Sequence, residues 1–390
     1  MDDEPLLKEQ LYKCSKCGYC RDTISDELGF YHICPSYDIL RLEPYCGRGR
    51  TTIALGLLEG IIPFSTNSFN VFYTCFTCGE CKEICPENID VPAIVKAARK
   101  ELFKHGIEHP KLKKMNLMIK DTHNLFGEAK PKSKWAKDLN LPKNGEVLYF
   151  AGCSASYTYS KIAKAAAKIL LEAKLNVAYL GEDEWCCGAP TLWAGNDKLF
   201  NEIMKHNVSE IKTSGAKKII FSCPVCYNTF KQYYTKEISK ISLELSHISE
   251  EIAELMGMEK IKPTKPIKKR ITYHDPCYLG RSEKIYEQPR DVIKRIPQLE
   301  YLEMPRNRKS ALCCGEGIVV SKIFPELTSK ISVNRIDEAM QIGAQAIVTC
   351  CPGCVTTLSK ASAQLKFKRK VEIDVYDLTE IVAEALNFKL

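Results

Sequence analysis

Ten of the eleven cysteines between Cys153 and Cys354 constrain this chain more than any other feature. They run Cys153, then Cys186-Cys187-Gly188, then Cys223-Pro224-Val225-Cys226, with 32 residues in the first gap and 34 in the second. The arrangement returns as Cys277, Cys313-Cys314-Gly315 and Cys351-Pro352-Gly353-Cys354, with 35 residues in each gap. Equivalent cysteines stand 124 to 128 positions apart. Matched spacing over that length implies an internal duplication, and it predicts two similar domains whose thiol-bearing ends face one another.

At 390 residues the chain is long enough for two or three domains. Its 45% hydrophobic and 27% charged content are those of a globular protein, but twenty cysteines are not. Such a count means disulfides, zinc or iron–sulfur clusters. The opening MDDEPLLKEQ is acidic and polar, so nothing in it points to export, and disulfides are the weakest reading. The richest apolar run, Thr51 to Phe64, is broken by Gly56, Glu59, Gly60 and Pro63 and falls short of the ~20 residues of a membrane helix. The expectation is a cytoplasmic protein with no membrane span of its own, reaching a membrane only through a partner. The formal charge of +8 counts no ligand thiolates, and no basic stripe with interleaved aromatics accompanies it, so nucleic acid is not expected as a partner.

Nine further cysteines lie in the first hundred residues. Cys75-Phe-Thr-Cys78-Gly-Glu-Cys81-Lys-Glu-Ile-Cys85-Pro86 is the run C-x2-C-x2-C-x3-C-P of bacterial two-cluster ferredoxins, in which the fourth cysteine serves the other cluster. Cys14-Ser-Lys-Cys17-Gly-Tyr-Cys20 carries the same triplet, but thirteen residues separate it from Cys34-Pro35. Crossed ligation assigns Cys14, Cys17, Cys20 and Cys85 to one cubane and Cys75, Cys78, Cys81 and Cys34 to the other. Zinc would favour four ligands in two pairs over two triplets each with a distant Cys-Pro. Cys46 has no motif around it and reads as a buried free thiol.

Periodicity divides the chain. Residues 36–64 read as helix with turns, and Val91, Ile94, Val95, Ala98 and Leu102 have the spacing of an amphipathic helix. From residue 146 the pattern becomes strand and helix in alternation. Strands at Glu146–Phe150, Asn176–Leu180 and Lys218–Phe221 lead toward thiols, as do strands at Arg270–Tyr273, Leu299–Met304 and Gln345–Thr349. That alternation describes parallel α/β units with their sites beyond the strand ends. The expected fold is α+β and multidomain: a helical ferredoxin-like domain with two [4Fe–4S] cubanes (1–130), a linker (131–145), a first cysteine–cysteine–glycine domain (146–259), a Lys- and Pro-rich linker (260–269) and a second such domain (270–390).

Five thiols per unit are one more than a cubane or a zinc ion uses. Adjacent cysteines cannot easily chelate one small ion, but they can reach neighbouring irons of a larger cluster. Two zinc sites would leave two cysteines unexplained. Gly188 and Gly315 permit close backbone approach and are candidate cofactor-binding positions. Cys350 is left out, since the first unit has Ser222 there.

Two ferredoxin-type motifs followed by two complete five-cysteine units resemble the D-type subunit of heterodisulfide reductase over essentially the whole chain, down to Leu180-Gly-Glu-Asp-Glu-Trp-Cys-Cys-Gly188 and Tyr273-His-Asp-Pro-Cys-Tyr-Leu-Gly-Arg281. The resemblance implies a non-cubane [4Fe–4S] cluster on Cys153, Cys186, Cys187, Cys223 and Cys226 and another on Cys277, Cys313, Cys314, Cys351 and Cys354. It implies that a small anionic disulfide of the coenzyme M–coenzyme B type binds between them and is reduced by two electrons delivered singly, or formed in reverse. Electrons would come from a partner such as a membrane cytochrome b, a flavoprotein or a hydrogenase. Two catalytic candidates follow: Arg281 as a contact for the anionic substrate, against a structural arginine, and His274 as proton donor to the departing thiolate, against a packing histidine. Glu316-Gly-Ile-Val319 is bulkier and more acidic than the glycine-rich continuation expected, and an acid there would repel an anionic disulfide. The alternative reading is an electron-transfer subunit of an FAD-dependent hydroxyacid or glycerol-3-phosphate dehydrogenase, although a relay needs no paired five-thiol sets. No G-x-G-x-x-G follows a strand, so no nucleotide fingerprint is expected.

Overall fold

The computed structural model describes residues 4–26, 28–128 and 131–390; the acidic start of the chain, residues 1–3, lies outside them. In the first region proline following cysteine helps to set where helices begin. Cys34 is the N-cap of the helix Pro35–Leu40, with proline in its first turn, where a missing N–H costs nothing. Longer helices at Gly47–Leu58 and Val91–Lys104 pack on one another and on the opening helix Glu4–Lys13, their apolar faces meeting through Ala54, Leu57, Ile94 and Ala98. One element here escapes the helical expectation. Between Cys20 and Cys34 an antiparallel hairpin pairs β1 (Asp22–Ser25) with β2 (Gly29–His32). Thr23, Ile24, Phe30 and Tyr31 supply β-prone side chains, and the run is too short to give a readable alternation.

The rest of the chain is two parallel four-stranded sheets. The first contains β3 (Val147–Phe150), β4 (Val177–Ala178), β5 (Lys218–Phe221) and β6 (Glu244–His247), in the order β4-β3-β5-β6. The second contains β7 (Lys269–His274), β8 (Leu299–Leu302), β9 (Ala346–Thr349) and β10 (Asp374–Asp377), and β8-β7-β9-β10 repeats that order. Topology therefore supports duplication independently of cysteine spacing. Two strands escape the sequence reading. β6 (Glu-Leu-Ser-His) and β10 (Asp-Val-Tyr-Asp) are edge strands with polar residues throughout, and each ends in a capping box, His247 with Glu250 and Asp377 with Glu380.

The helices after these edge strands are exchanged. Ile248–Gly257, from the first unit, packs on Glu287–Lys294 of the second; Leu378–Ala385, from the second, packs on Ser160–Glu172 of the first. One hydrophobic cluster consequently runs from Leu11 to Ala385 through all three regions. Reciprocal exchange holds the units face to face, with the carboxyl ends of β3 and β5 turned toward those of β7 and β9. No helix among the described residues is long and apolar enough to cross a membrane.

Candidate functional site

Local backbone delivers each thiol. In the first unit, Cys153 follows β3 through Gly152, which has φ +75° and where a Cβ would stand 3.2 Å from the Cys226 sulfur. Cys223 follows β5 and is the N-cap of Pro224–Tyr233, so that helix presents its first amides toward the thiol. Cys351 does the same after β9 for Pro352–Arg369. In each sheet the strands preceding these cysteines are hydrogen-bonded neighbours, Phe150 opposite Phe221 and His274 opposite Thr349. That is the point at which strand order reverses, where open α/β sheets place ligands.

The thiols meet in matched chains. Hydrogen bonds link Cys153 to Cys186, Cys186 to Cys187, Cys187 to Cys226 and Cys226 to Cys223. In the second unit they link Cys277, Cys313, Cys314, Cys354 and Cys351 in the corresponding order. Cys223 also bonds to Cys351, joining the two ends. All ten sulfur-bearing residues line one cavity of about 840 Å³, counted out to where it opens to solvent. Proton sharing drives neighbours apart: hydrogen bonds from Cys186 and Cys226 lower Cys187, and those from Cys313 and Cys354 lower Cys314, while Cys226 and Cys354 are raised.

Two smaller groups lie in the first region. Cys14, Cys17, Cys20 and Cys85 line one small cavity together with Cys81, and the amides of Arg48 and Ile89 point at the Cys20 and Cys85 sulfurs at 3.0 and 3.4 Å. Cys34, Cys75, Cys78 and Cys81 lie within electrostatic reach of one another around the Arg50 guanidinium. Cys78 continues to Cys313 by a thiol hydrogen bond, so the first region touches the second five-thiol set directly. Cys46 is buried as expected and bonds to the Glu43 carbonyl at 3.2 Å; Cys350 is buried beneath Tyr273.

The donor set fits a bulky, anionic, sulfur-ligated group. Arg50 is 1% exposed, yet its hydrogen bonds go to the Val71 carbonyl, Thr74 Oγ1 and Cys34 Sγ, and none goes to a carboxylate. A guanidinium buried this way calls for nearby negative charge, which thiolates around a cluster supply. Arg281 has Nη2 buried and unpartnered beside Cys78, Cys277 and Cys313, and Glu80, 3.9 Å from its Nη1, is the carboxylate it meets.

Four candidates prove to be elsewhere than the cavity wall. Arg281 is buried and donates to the carbonyls of Cys78 (2.6 Å), Lys309 (3.1 Å) and Ala311 (2.7 Å), so its fork ties the first region to the second unit and does not face the cavity. His274 approaches Cys314 and Cys354 away from the cavity lining, and burial lowers its pKa. Gly188 and Gly315 have φ of +84° and +85°, which explains glycine, but their close approach is to helices of their own units. A Cβ would lie 2.6 Å from the Phe200 ring at Gly188 and 2.8 Å from the Thr328 carbonyl at Gly315.

Sequence reasoning passed over the charges behind the thiols. Lys132 and Glu184 form an ion pair of 2.8 Å at 3% and 1% exposure, and Glu184 also accepts the Ala151 and Gly152 amides leading to Cys153, at 3.0 and 2.8 Å. Asp275, before Cys277, is held bidentately by Arg290 at 2.7 and 2.9 Å. Acids directly beside the cysteine motifs were the available signal. Glu316 lies on the cavity wall and accepts from the Ser321 hydroxyl at 3.1 Å; burial, then the Cys314 charge, pushes it up to about 7.

Residues 10–89 match a 4Fe-4S dicluster domain model, and residues 147–231 and 271–359 each match a cysteine-rich domain model. The chain is 32% identical to the D-type subunit of the dihydromethanophenazine:CoB–CoM heterodisulfide reductase of Methanosarcina barkeri, over 99% of this chain and 97% of that one. It is 30% identical to the subunit of the same name from Methanosarcina acetivorans, over 98% and 95% of the two chains. It is 28% identical to the EtfAB:quinone oxidoreductase of Syntrophomonas wolfei, over 85% of this chain and 48% of that one. Among solved structures, a hypothetical protein from Helicobacter pylori shares the fold at 9% identity and a TM-score of 0.57, covering 88% of this chain and 68% of that one.

Proposed function

The chain belongs to the family of D-type heterodisulfide reductase subunits, and on that footing we propose that it reduces a disulfide, or runs the reverse thiol oxidation, in the cavity between its two five-thiol sets. It is an iron–sulfur oxidoreductase subunit, and the disulfide is the step beyond that. The observation that carries the reading is that both sets, complete and in the same order, line one cavity. A disulfide has two sulfurs and its reduction needs two electrons: R–S–S–R′ with two electrons and two protons gives RSH and R′SH. Non-cubane [4Fe–4S] clusters, when bound, would supply iron sites for the two sulfurs and hold electrons one at a time. The holding residues would be Cys153, Cys186, Cys187, Cys223 and Cys226 on one side and Cys277, Cys313, Cys314, Cys351 and Cys354 on the other. Cys14, Cys17, Cys20 and Cys85, and Cys34, Cys75, Cys78 and Cys81, would hold two cubanes fed by an electron-donating partner subunit.

The remaining wall is apolar, with Phe76, Leu125, Pro190, Pro224, Val225 and Ile318 excluding water from the sulfurs. Glu316 is the only formally charged side chain among the described residues of that wall apart from the thiols. A substrate matching it would be uncharged near its sulfur atoms, unlike the strongly anionic coenzyme M–coenzyme B disulfide. The same lack of basic residues favours a second reading, a relay subunit for a flavin-dependent dehydrogenase, in which no small substrate enters at all.

The deciding experiment is viologen-linked reduction by the anaerobically purified, iron-replete chain, comparing the coenzyme M–coenzyme B disulfide with uncharged dialkyl disulfides. Turnover faster with the uncharged substrates supports the proposal in full. Faster turnover with the anionic disulfide would keep the reaction and overturn the substrate class. No turnover with either, at full iron content, would overturn disulfide chemistry in favour of the relay.

A further inference from the structure

The two five-thiol sets have the same order of sulfurs and different surroundings, and the difference is sharpest at the residue three before the first cysteine. At the end of β3 that residue is Phe150; at the end of β7 it is His274. His274 is 1% exposed, and one of its ring nitrogens lies within 4.8 Å of the Cys314 and Cys354 sulfurs.

Arg335 fixes the histidine's tautomer. Its Nε donates to His274 Nδ1 at 3.0 Å, while its Nη1 donates to the Arg306 carbonyl at 2.8 Å and to Glu338 at 2.7 Å. A guanidinium has no lone pair to offer, so His274 Nδ1 is the acceptor and the ring proton sits on Nε2. With Nδ1 taken by Arg335, Nε2 is the nitrogen left for the thiols, and it carries the N–H. This excludes the other role that the His274–Cys314–Cys354 grouping suggests, that of an iron ligand, because ligation needs a free lone pair on the nitrogen facing the metal. In the first unit, by contrast, Phe150 can offer no hydrogen bond. The helix there contributes Asn207, which donates to the Cys186 carbonyl at 3.0 Å and leaves the sulfur untouched.

We propose that His274, oriented by Arg335, is a fixed hydrogen-bond donor to the Cys314 thiolate and sets the second five-thiol site at a higher reduction potential than the first. The inference rests on the reading that these thiols hold iron–sulfur clusters. Hydrogen bonds to cluster sulfurs stabilise the more negative, reduced state and so raise the potential. The second site is also the one that Cys78 reaches through Cys313. An electron from the partner subunit thus rests first at the second site, and the pair of sites is a polarised relay in place of two equal acceptors. His274 and Arg335 are positioning residues, since neither lines the cavity.

The test is a redox titration followed by electron paramagnetic resonance on the anaerobically purified full chain, with iron content measured for each sample. His274→Phe, which copies the first unit, is expected to shift one cluster signal to lower potential and leave the others in place; His274→Gln, which keeps an N–H donor, is expected to restore most of the shift. Pulsed nitrogen spectroscopy on the unsubstituted chain, with 15N placed only in the histidine rings so that the backbone amides at the other sulfurs are silent, needs no variant to fold: it should find a weakly coupled ring nitrogen at the second five-thiol site. Strong nitrogen coupling, indicating ligation, would overturn the inference, as would unchanged potentials in His274→Phe at full iron. An unsubstituted chain that takes up no iron would overturn the cluster reading along with it, so the two failures are told apart by the iron assay.

Discussion

The first and second five-thiol units share strand order, thiol order and exchanged helices, yet different buried charges support them. Behind Cys153 stands one closed pair, Lys132 with Glu184. Behind Cys277 stands a shared network, in which Arg290 is held by both Asp275 and Glu303 and Arg335 by Glu338. Duplication has kept the frame that places sulfur and changed the charges that support it. Both units are tied to the ferredoxin-like region by polar contacts, the first through Tyr73 to the Ala194 carbonyl and the Lys100–Asp197 pair, the second through the buried Arg281 to the Cys78 carbonyl and Arg306 to Glu80. The unit whose thiols Cys78 reaches is the one with more fixed charge around them.

The largest expected effect breaks the closed pair. Glu184→Gln leaves the Lys132 ammonium buried and unneutralised, and losing one partner of a buried pair costs about 3–5 kcal/mol. Asp275→Asn should cost roughly half as much, because Arg290 keeps Glu303. Denaturant midpoints of the two variants, with iron retention alongside, check the order. Equal losses would break the contrast between a closed pair and a network.

The next effect separates the exchanged helices by pH. His247 caps one and Asp377 the other. Burial lowers His247 to about 4, so the unfolded chain binds more protons between about 6.5 and 4, and this cap loses stability as pH falls through that window. Burial raises Asp377 from 3.8 to about 7, and there the folded chain binds more protons, so stability falls as pH rises from about 4 to about 7. Asp377→Asn should remove on the order of 3 kcal/mol of that fall. His247→Asn should flatten the acid side alone. Unfolding free energies at pH 5 and pH 8 give both signs.

A smaller effect tests the paired glycines. Gly188→Ala and Gly315→Ala each force a Cβ into the left-handed region, at about 1–3 kcal/mol. Gly315→Ala should be the worse, since its Cβ meets the fixed Thr328 carbonyl at 2.8 Å where Gly188 meets the Phe200 ring at 2.6 Å. Thermal midpoints decide, and the reverse order would show that the Phe200 side is the more rigid.

Much of this frame was legible because cysteine, glycine and proline restrict backbone. Duplication, α/β alternation and the position of thiols beyond strand ends followed from spacing and apolar runs, since strands buried on both faces are continuously hydrophobic. β6 and β10 were not legible, because short edge strands carry polar residues that read as loop. The exchange of terminal helices was hidden for another reason: amphipathicity shows that a helix packs, not on which unit. The buried contacts of Arg281 and the unweighed Lys132, Glu184 and Arg335 were hidden for one reason. A charged residue in a sequence looks like surface until its partner, often many positions away, is placed beside it.

Tyr278 offers the finest test of the asymmetry. It follows Cys277, where the first unit has Ser154 after Cys153. Its hydroxyl accepts from Trp193 Nε1 at 2.7 Å and lies 2.8 Å from Thr77 Oγ1, so one atom joins the second unit to the first and to the ferredoxin-like region. Trp193 Nε1 also reaches Thr77 Oγ1 at 3.2 Å, so removing the hydroxyl leaves neither partner stranded. Tyr278→Phe should therefore cost only about 1 kcal/mol, the net worth of an ordinary hydrogen bond. Ser154→Ala, with no such junction to break, should cost about 0.5 kcal/mol or less. Denaturant unfolding resolves the two. A Tyr278→Phe loss no larger than that of Ser154→Ala would mean that this hydroxyl junction is incidental to how the three regions are held together.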